Sequence, residues 1–136
     1  MKKFIEYAAV FAVGAAVYSL IEIIWRGFTH WTMALTGGVC MSAIYLISSD
    51  YESTALWKKC IAGSLAITTA ELSVGFVVNI LLGWGVWSYS ARLFNYHGLI
   101  CPLYTLLWFL LCIPANYVCR QLKRLFVRTG LCVTPQ

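Results

Sequence analysis

Four apolar runs, at about residues 4–25, 31–47, 60–82 and 99–119, dictate what this 136-residue chain can become. A hydrocarbon core about 30 Å thick is crossed by roughly 20 apolar residues in helical form, so four such runs use most of the chain and leave only short connections. The expected fold class is all-α, a polytopic membrane protein with four transmembrane helices forming a single domain over residues 1–136. Composition agrees: 61% of residues are hydrophobic, 11% are charged and the mean hydropathy is +0.78, outside the range of soluble domains.

The ten Lys and Arg residues set the expected orientation. Lys2 and Lys3 precede the first run, Lys58 and Lys59 lie between the second and third, and Arg120, Lys123, Arg124 and Arg128 follow the fourth. Only Arg26 and Arg92 fall in the other two connections. This eight-to-two asymmetry places both termini and the 48–59 loop in the cytoplasm under the positive-inside rule. Trp25, Trp31, Trp84 and Trp87 then crowd the outer face as an interfacial belt. The first run is too long for a secretory h-region and carries Glu22, so it is read as a spanning helix rather than a cleaved signal. The formal charge of +5 does not point to nucleic acid, because the cations flank membrane helices. Six cysteines show no CxxC pairing and no ligand spacing with histidine, and are read as small buried hydrophobes, not as a metal site.

Ionisable groups inside the apolar runs are the candidate functional residues, because each is costly in a bilayer and turns toward protein or water. Glu22, Arg26 and His30 follow at i, i+4 and i+8 where the first helix leaves the membrane. Glu71 lies about mid-way along the third run, with Gly75, Asn79 and Gly83 at further four-residue steps on the same face. Glu6, one turn from Lys2 and Lys3, is read as their solvated neighbour. Convergence of Glu22 with Glu71 requires helices one and three to be neighbours.

Residues 83–98 are too aromatic for a flexible linker and too polar to span, which makes them an outer interfacial or re-entrant segment. They add Trp84, Trp87, Arg92, Asn95 and His97 to the candidate ligand or ion pocket of Glu22, Arg26, His30, Glu71 and Asn79. Thr36, Gly37, Cys40 and Ala43 form a small-residue packing stripe on helix two, with Thr36 able to bond back to its own helix. Pro102 suits the first turn of helix four and Pro114 interrupts its interior. Beyond it, residues 120–136 form a basic amphipathic tail expected to lie on the anionic inner leaflet.

The segments Tyr18-Ser19-Leu20-Ile21-Glu22-Ile23-Ile24-Trp25-Arg26-Gly27, Thr29-His30-Trp31-Thr32-Met33, Glu71 to Asn79, Leu82-Gly83-Trp84, Val86 to Ser90, Phe94-Asn95 and Gly98 to Cys101 resemble the bacterial membrane-protein family labelled putative ABC-transporter type IV. The resemblance implies a transporter component in the bacterial cytoplasmic (inner) membrane. It also implies an acidic residue at position 88 and a glutamine at 99, where this chain has Ser88 and Leu99.

The functional expectation is a small integral membrane transport or binding protein. Its outward-facing polar pocket takes a small solute, ion or lipid headgroup, with Arg26 and Arg92 attracting an anionic group and Glu71 serving as a proton or cation site. No G-x-x-x-x-G-K-[ST] signature is present, so ATP hydrolysis would come from a partner subunit, and four helices are few for a transport path, which suggests a homo-oligomer in the lipid bilayer. No cofactor is called for. The alternatives are an accessory subunit or sensor without chemistry, and an intramembrane enzyme pairing His30 or His97 with a glutamate.

Overall fold

The computed structural model describes residues 1–132. Four helices account for most of them: α1 (Lys2–Arg26), α2 (Trp31–Asp50), α3 (Leu56–Gly75) and α4 (Pro102–Arg128). A π-helical stretch, Phe76–Leu81, continues α3 without a break. All four are long and apolar enough to cross a membrane. Among the described residues the only extended pairing is an isolated bridge between Tyr96 and Ile100.

Local chemistry marks the helix ends. Gly27 ends α1 in the left-handed region at φ 82°, with its N–H on the Ile23 carbonyl, a geometry glycine adopts without a Cβ penalty. His30 then starts α2 as its N-cap, its Nδ1 accepting from the Thr32 amide at 3.3 Å. Pro102 occupies the first turn of α4, where its missing N–H costs nothing.

The packing of α1 on α2 follows from the small residues. Gly14 and Gly37 sit at the crossing, where a Cβ on Gly14 would come within 2.7 Å of the Gly37 carbonyl oxygen. Tyr18 and Met41 fill the space on either side of this backbone contact. Thr36 donates to the Thr32 carbonyl at 2.8 Å, the back-bond expected of a buried threonine in an apolar helix.

Helix α2 touches each of the other three, α3 packs on α4, and α1 meets α4 only lightly. The backbones of α1 and α3 do not approach each other, so the direct neighbouring expected for convergence of Glu22 with Glu71 is not met. Any convergence of Glu22 with Glu71 must therefore run through α2, α4 or the segment before α4.

Two further corrections concern the lysine-rich end. Helix α4 does not stop near residue 119 but continues to Arg128, carrying Phe126 into a buried edge-on contact with Tyr45. The basic tail is thus an extension of the bundle as far as Arg128, while residues 133–136 of the expected tail lie outside the described residues. Glu6 is 4% exposed rather than solvated. It accepts a hydrogen bond from the Tyr45 hydroxyl, and Lys123 of α4 lies 3.9 Å from the same carboxylate oxygen. Burial became possible because α4 overshoots the membrane-length run and brings a cation and an apolar cover to Glu6.

Candidate functional site

The segment between α3 and α4 folds back over the aromatic end of the bundle and is fastened from three directions. Asn79, inside the π-helical turn, donates from Nδ2 to the Trp87 carbonyl at 2.9 Å and accepts at Oδ1 from the Val86 amide at 2.6 Å. Arg26 at the end of α1 donates from Nη1 to the Val86 carbonyl at 3.2 Å. The Trp87 indole N–H reaches the Leu99 carbonyl at 3.0 Å, and its ring lies over Gly75, where any Cβ would clash at 2.8 Å. Glycine at position 75 therefore makes the seat for Trp87.

These ties bury Trp87 to 7% exposure, whereas Trp84, 49% exposed, stays at the periphery. Trp84 packs its ring against Trp31 and His30, at centroid distances of 6.1 and 5.9 Å, as interfacial aromatics do. The two tryptophans of one short motif thus have different roles.

Under this segment, between α1 and α4, lies a cavity of about 290 Å³. Glu22, Trp25 and Arg26 of α1 form one wall, Tyr104 and Trp108 of α4 the other, and Trp87, Ser88, Tyr89 and Arg92 the roof. Glu22 and Arg26 form an ion pair at i, i+4. Arg92 has no carboxylate within ion-pairing distance among the described residues, and its guanidinium lies 5.9 Å from the Tyr104 ring centroid. The mouth of the cavity therefore carries two guanidinium groups against one carboxylate.

Glu71 stands directly behind this cavity and is 1% exposed. Tyr89 donates from its hydroxyl to Oε1 at 3.2 Å, and the Trp108 indole donates to Oε2 at 3.0 Å. Burial first, and then the Glu71 carboxylate, push the Tyr89 hydroxyl above its ordinary value, which keeps it a donor at neutral pH. Tyr89 stacks on Tyr104 at 4.4 Å, and Tyr104 accepts at its hydroxyl from the Trp25 indole at 3.3 Å. A chain of aromatic contacts and hydrogen bonds so links the α3 carboxylate to α1, although the backbones of these two helices do not approach each other.

Of the ten residues singled out from the sequence, Glu22, Arg26, Trp87 and Arg92 line the cavity and Glu71 backs it. The other five lie elsewhere. Asn79 is the clasp described above. His30 is committed to capping α2, its Nδ1 also 2.7 Å from the Thr32 hydroxyl. Trp84 is peripheral. Asn95 closes a turn, donating to the Arg92 carbonyl at 2.8 Å and accepting from the Gly98 amide at 3.0 Å. His97 sits exposed in that turn at φ 50°, against Tyr96.

Sequence reasoning passed over Tyr89, Tyr104 and Trp108, which hold Glu71 and line the cavity. A signal existed, since Tyr104 and Trp108 are polar-tipped aromatics at i and i+4 near the start of an apolar helix. Among the described residues no three His, Cys, Asp or Glu side chains are grouped to hold a metal ion.

The family described as putative ABC-transporter type IV matches residues 4–130 of the chain. No curated protein and no solved structure matches it. With nearly the whole length covered, the chain belongs to that family.

Proposed function

We propose that this family member is an integral membrane binding or transport component whose cavity, open to the outer face, takes a small anionic solute or headgroup. Membership of the putative ABC-transporter type IV family and four apolar helices fit a transport-related membrane protein. The observation that carries the finer reading is the excess guanidinium of Arg92 at the mouth of the roughly 290 Å³ cavity. A cation held against low-dielectric walls attracts an anion more strongly than it would in water. The eight-to-two distribution of basic residues supports cytoplasmic termini and an outward-facing cavity in the bacterial inner membrane. Energy for transport would come from an ATPase partner, and the small size of one bundle favours a homo-oligomer.

A structural reading has one specific observation in its favour. Arg26 is already engaged by Glu22 and by the Val86 carbonyl, so it pins the roof whether or not anything binds beneath it. On that reading the chain is an accessory subunit or sensor without chemistry. Arg92 separates the two, because its side chain makes no ion pair among the described residues. In the purified full chain, inorganic phosphate should raise the melting temperature, and Arg92→Gln should abolish that rise while leaving the unliganded melting temperature unchanged. An equal response in wild type and Arg92→Gln would reject the pocket.

A further inference from the structure

The cavity has a neighbour. A second space of about 140 Å³ lies toward the lysine-rich end between the same two helices, and Ile21, Trp108 and Leu111 line both. Its walls are Gly14, Val17 and Tyr18 of α1 and Pro114, Ala115 and Val118 of α4, backed by α2. Its lining is apolar almost throughout. Along α1 the two spaces extend from Gly14 to Arg26, 12 helical steps or roughly 18 Å at 1.5 Å per step.

We propose that the joined spaces form one binding groove for a single-chain anionic amphiphile, its head at Arg26 and Arg92 and its alkyl chain running past Trp108 into the inner space. This rests on the anion-binding reading of the outer cavity and adds to it the chemical class of the ligand. Three observations argue for that occupant. Polarity changes once along the groove, from a charged mouth to an apolar end, as it does along such a molecule. The groove opens between α1 and α4, the most lightly packed of the helix pairs that do meet, so a chain can enter sideways from the bilayer. Two buried donors on residues that line it are also unpartnered, Arg26 Nε beside the mouth and the hydroxyl of Tyr18, a residue 7% exposed, beside the inner space.

Because lipid tails are as apolar as the groove, hydrophobic transfer alone does not draw a chain out of the membrane. Selectivity comes from the charge at one end and from filling a space that is otherwise poorly packed.

The test uses the full chain in a nonionic detergent and reads the melting temperature with inorganic phosphate, ethyl phosphate, octyl phosphate and dodecyl phosphate. Dodecyltrimethylammonium serves as the cationic amphiphile. The expected result is a rise in melting temperature that grows with alkyl length from phosphate to dodecyl phosphate and is absent for the cation. Ala115→Phe, which fills only the inner space, should flatten the chain-length dependence and leave the response to phosphate intact. Equal shifts for phosphate and dodecyl phosphate would overturn the groove while preserving the outer anion site. No shift with any phosphate would overturn both. Equal shifts with dodecyl phosphate and the cation would show a detergent effect and reject the proposal, as would a chain-length dependence unchanged in Ala115→Phe.

Discussion

Asn79 holds Trp87 in place by its backbone, not its ring: the carboxamide donates to the Trp87 carbonyl and accepts from the Val86 amide immediately before it. A planar carboxamide carries a donor and an acceptor side by side and so holds two nearby peptide groups of one segment at once. The π-helical turn that presents Asn79 gives up regular α-helical bonding, and the roof of the cavity is the return on that irregularity.

Replacing Asn79 by Ala strips the partners from two partly buried backbone groups, the Val86 N–H and the Trp87 carbonyl. We expect a loss of about 1–3 kcal/mol, the cost of leaving buried backbone groups unsatisfied, read by thermal denaturation in detergent. Tryptophan emission should shift to the red as Trp87 gains water. Asn79→Asp, which keeps the acceptor for Val86, should lose less than Asn79→Ala.

Glycine substitutions should divide by mechanism. Gly14→Ala drives a methyl group into Met41 and the Gly37 carbonyl where two backbones meet, and overpacking of that kind costs about 1–3 kcal/mol. Gly27→Ala meets nothing within 4 Å, but places a Cβ at φ 82°, for about 1–2 kcal/mol. Crosslinking across α1 and α2 tells them apart. A cysteine pair bridging these helices should react more slowly in Gly14→Ala and normally in Gly27→Ala.

At the lysine-rich end, two contacts on one carboxylate should differ in weight. Tyr45→Phe removes a buried hydrogen bond to Glu6, worth about 1.5–3 kcal/mol when the acceptor is charged. Lys123→Met removes a 3.9 Å ion pair whose lysine is one-third exposed, worth under about 1 kcal/mol. Melting temperatures of the two variants should rank in that order, and a larger effect of Lys123→Met would show that charge, not hydrogen bonding, keeps Glu6 buried.

Glu71→Leu leaves the Trp108 indole and the Tyr89 hydroxyl without their acceptor, each at about 1–3 kcal/mol. Glu71→Gln retains one carbonyl oxygen and should be milder. The comparison is made on the same unfolding curves, and a Gln variant no more stable than Leu would mean that both acceptor oxygens are indispensable.

How much of this was readable beforehand depends on what each residue's environment draws from. The four spans, the N1 proline and the Thr36 back-bond depend on nearby residues, and the sequence carries them directly. The burial of Glu6 depends on residues 39 and 117 positions away, Tyr45 and Lys123, which no local window contains. The separation of α1 from α3 depends on the order in which helices pack, to which an apolar periodicity is indifferent when every face is apolar. His30 and Asn95 misled for a different reason. Polar residues at the end of a run look like site residues, but a helix start and a turn consume the same donors and acceptors.

The light contact between α1 and α4 also bears on how the bundle is held together. Two helical hairpins, α1 with α2 and α3 with α4, are each closely packed, and α2 alone carries substantial contact from one hairpin to the other. Across the remaining seam, the bonds from Trp25 to Tyr104 and from Arg26 to the Val86 carbonyl clasp the aromatic rim, the Tyr18 and Trp108 rings meet between, and Lys123 reaches Glu6 at the other end. The first and last helices are thus joined by individual side chains along their length more than by close packing of one helix on the other. Helix α2 is thereby the spine that both hairpins share, and the seam opposite it is stitched, not packed.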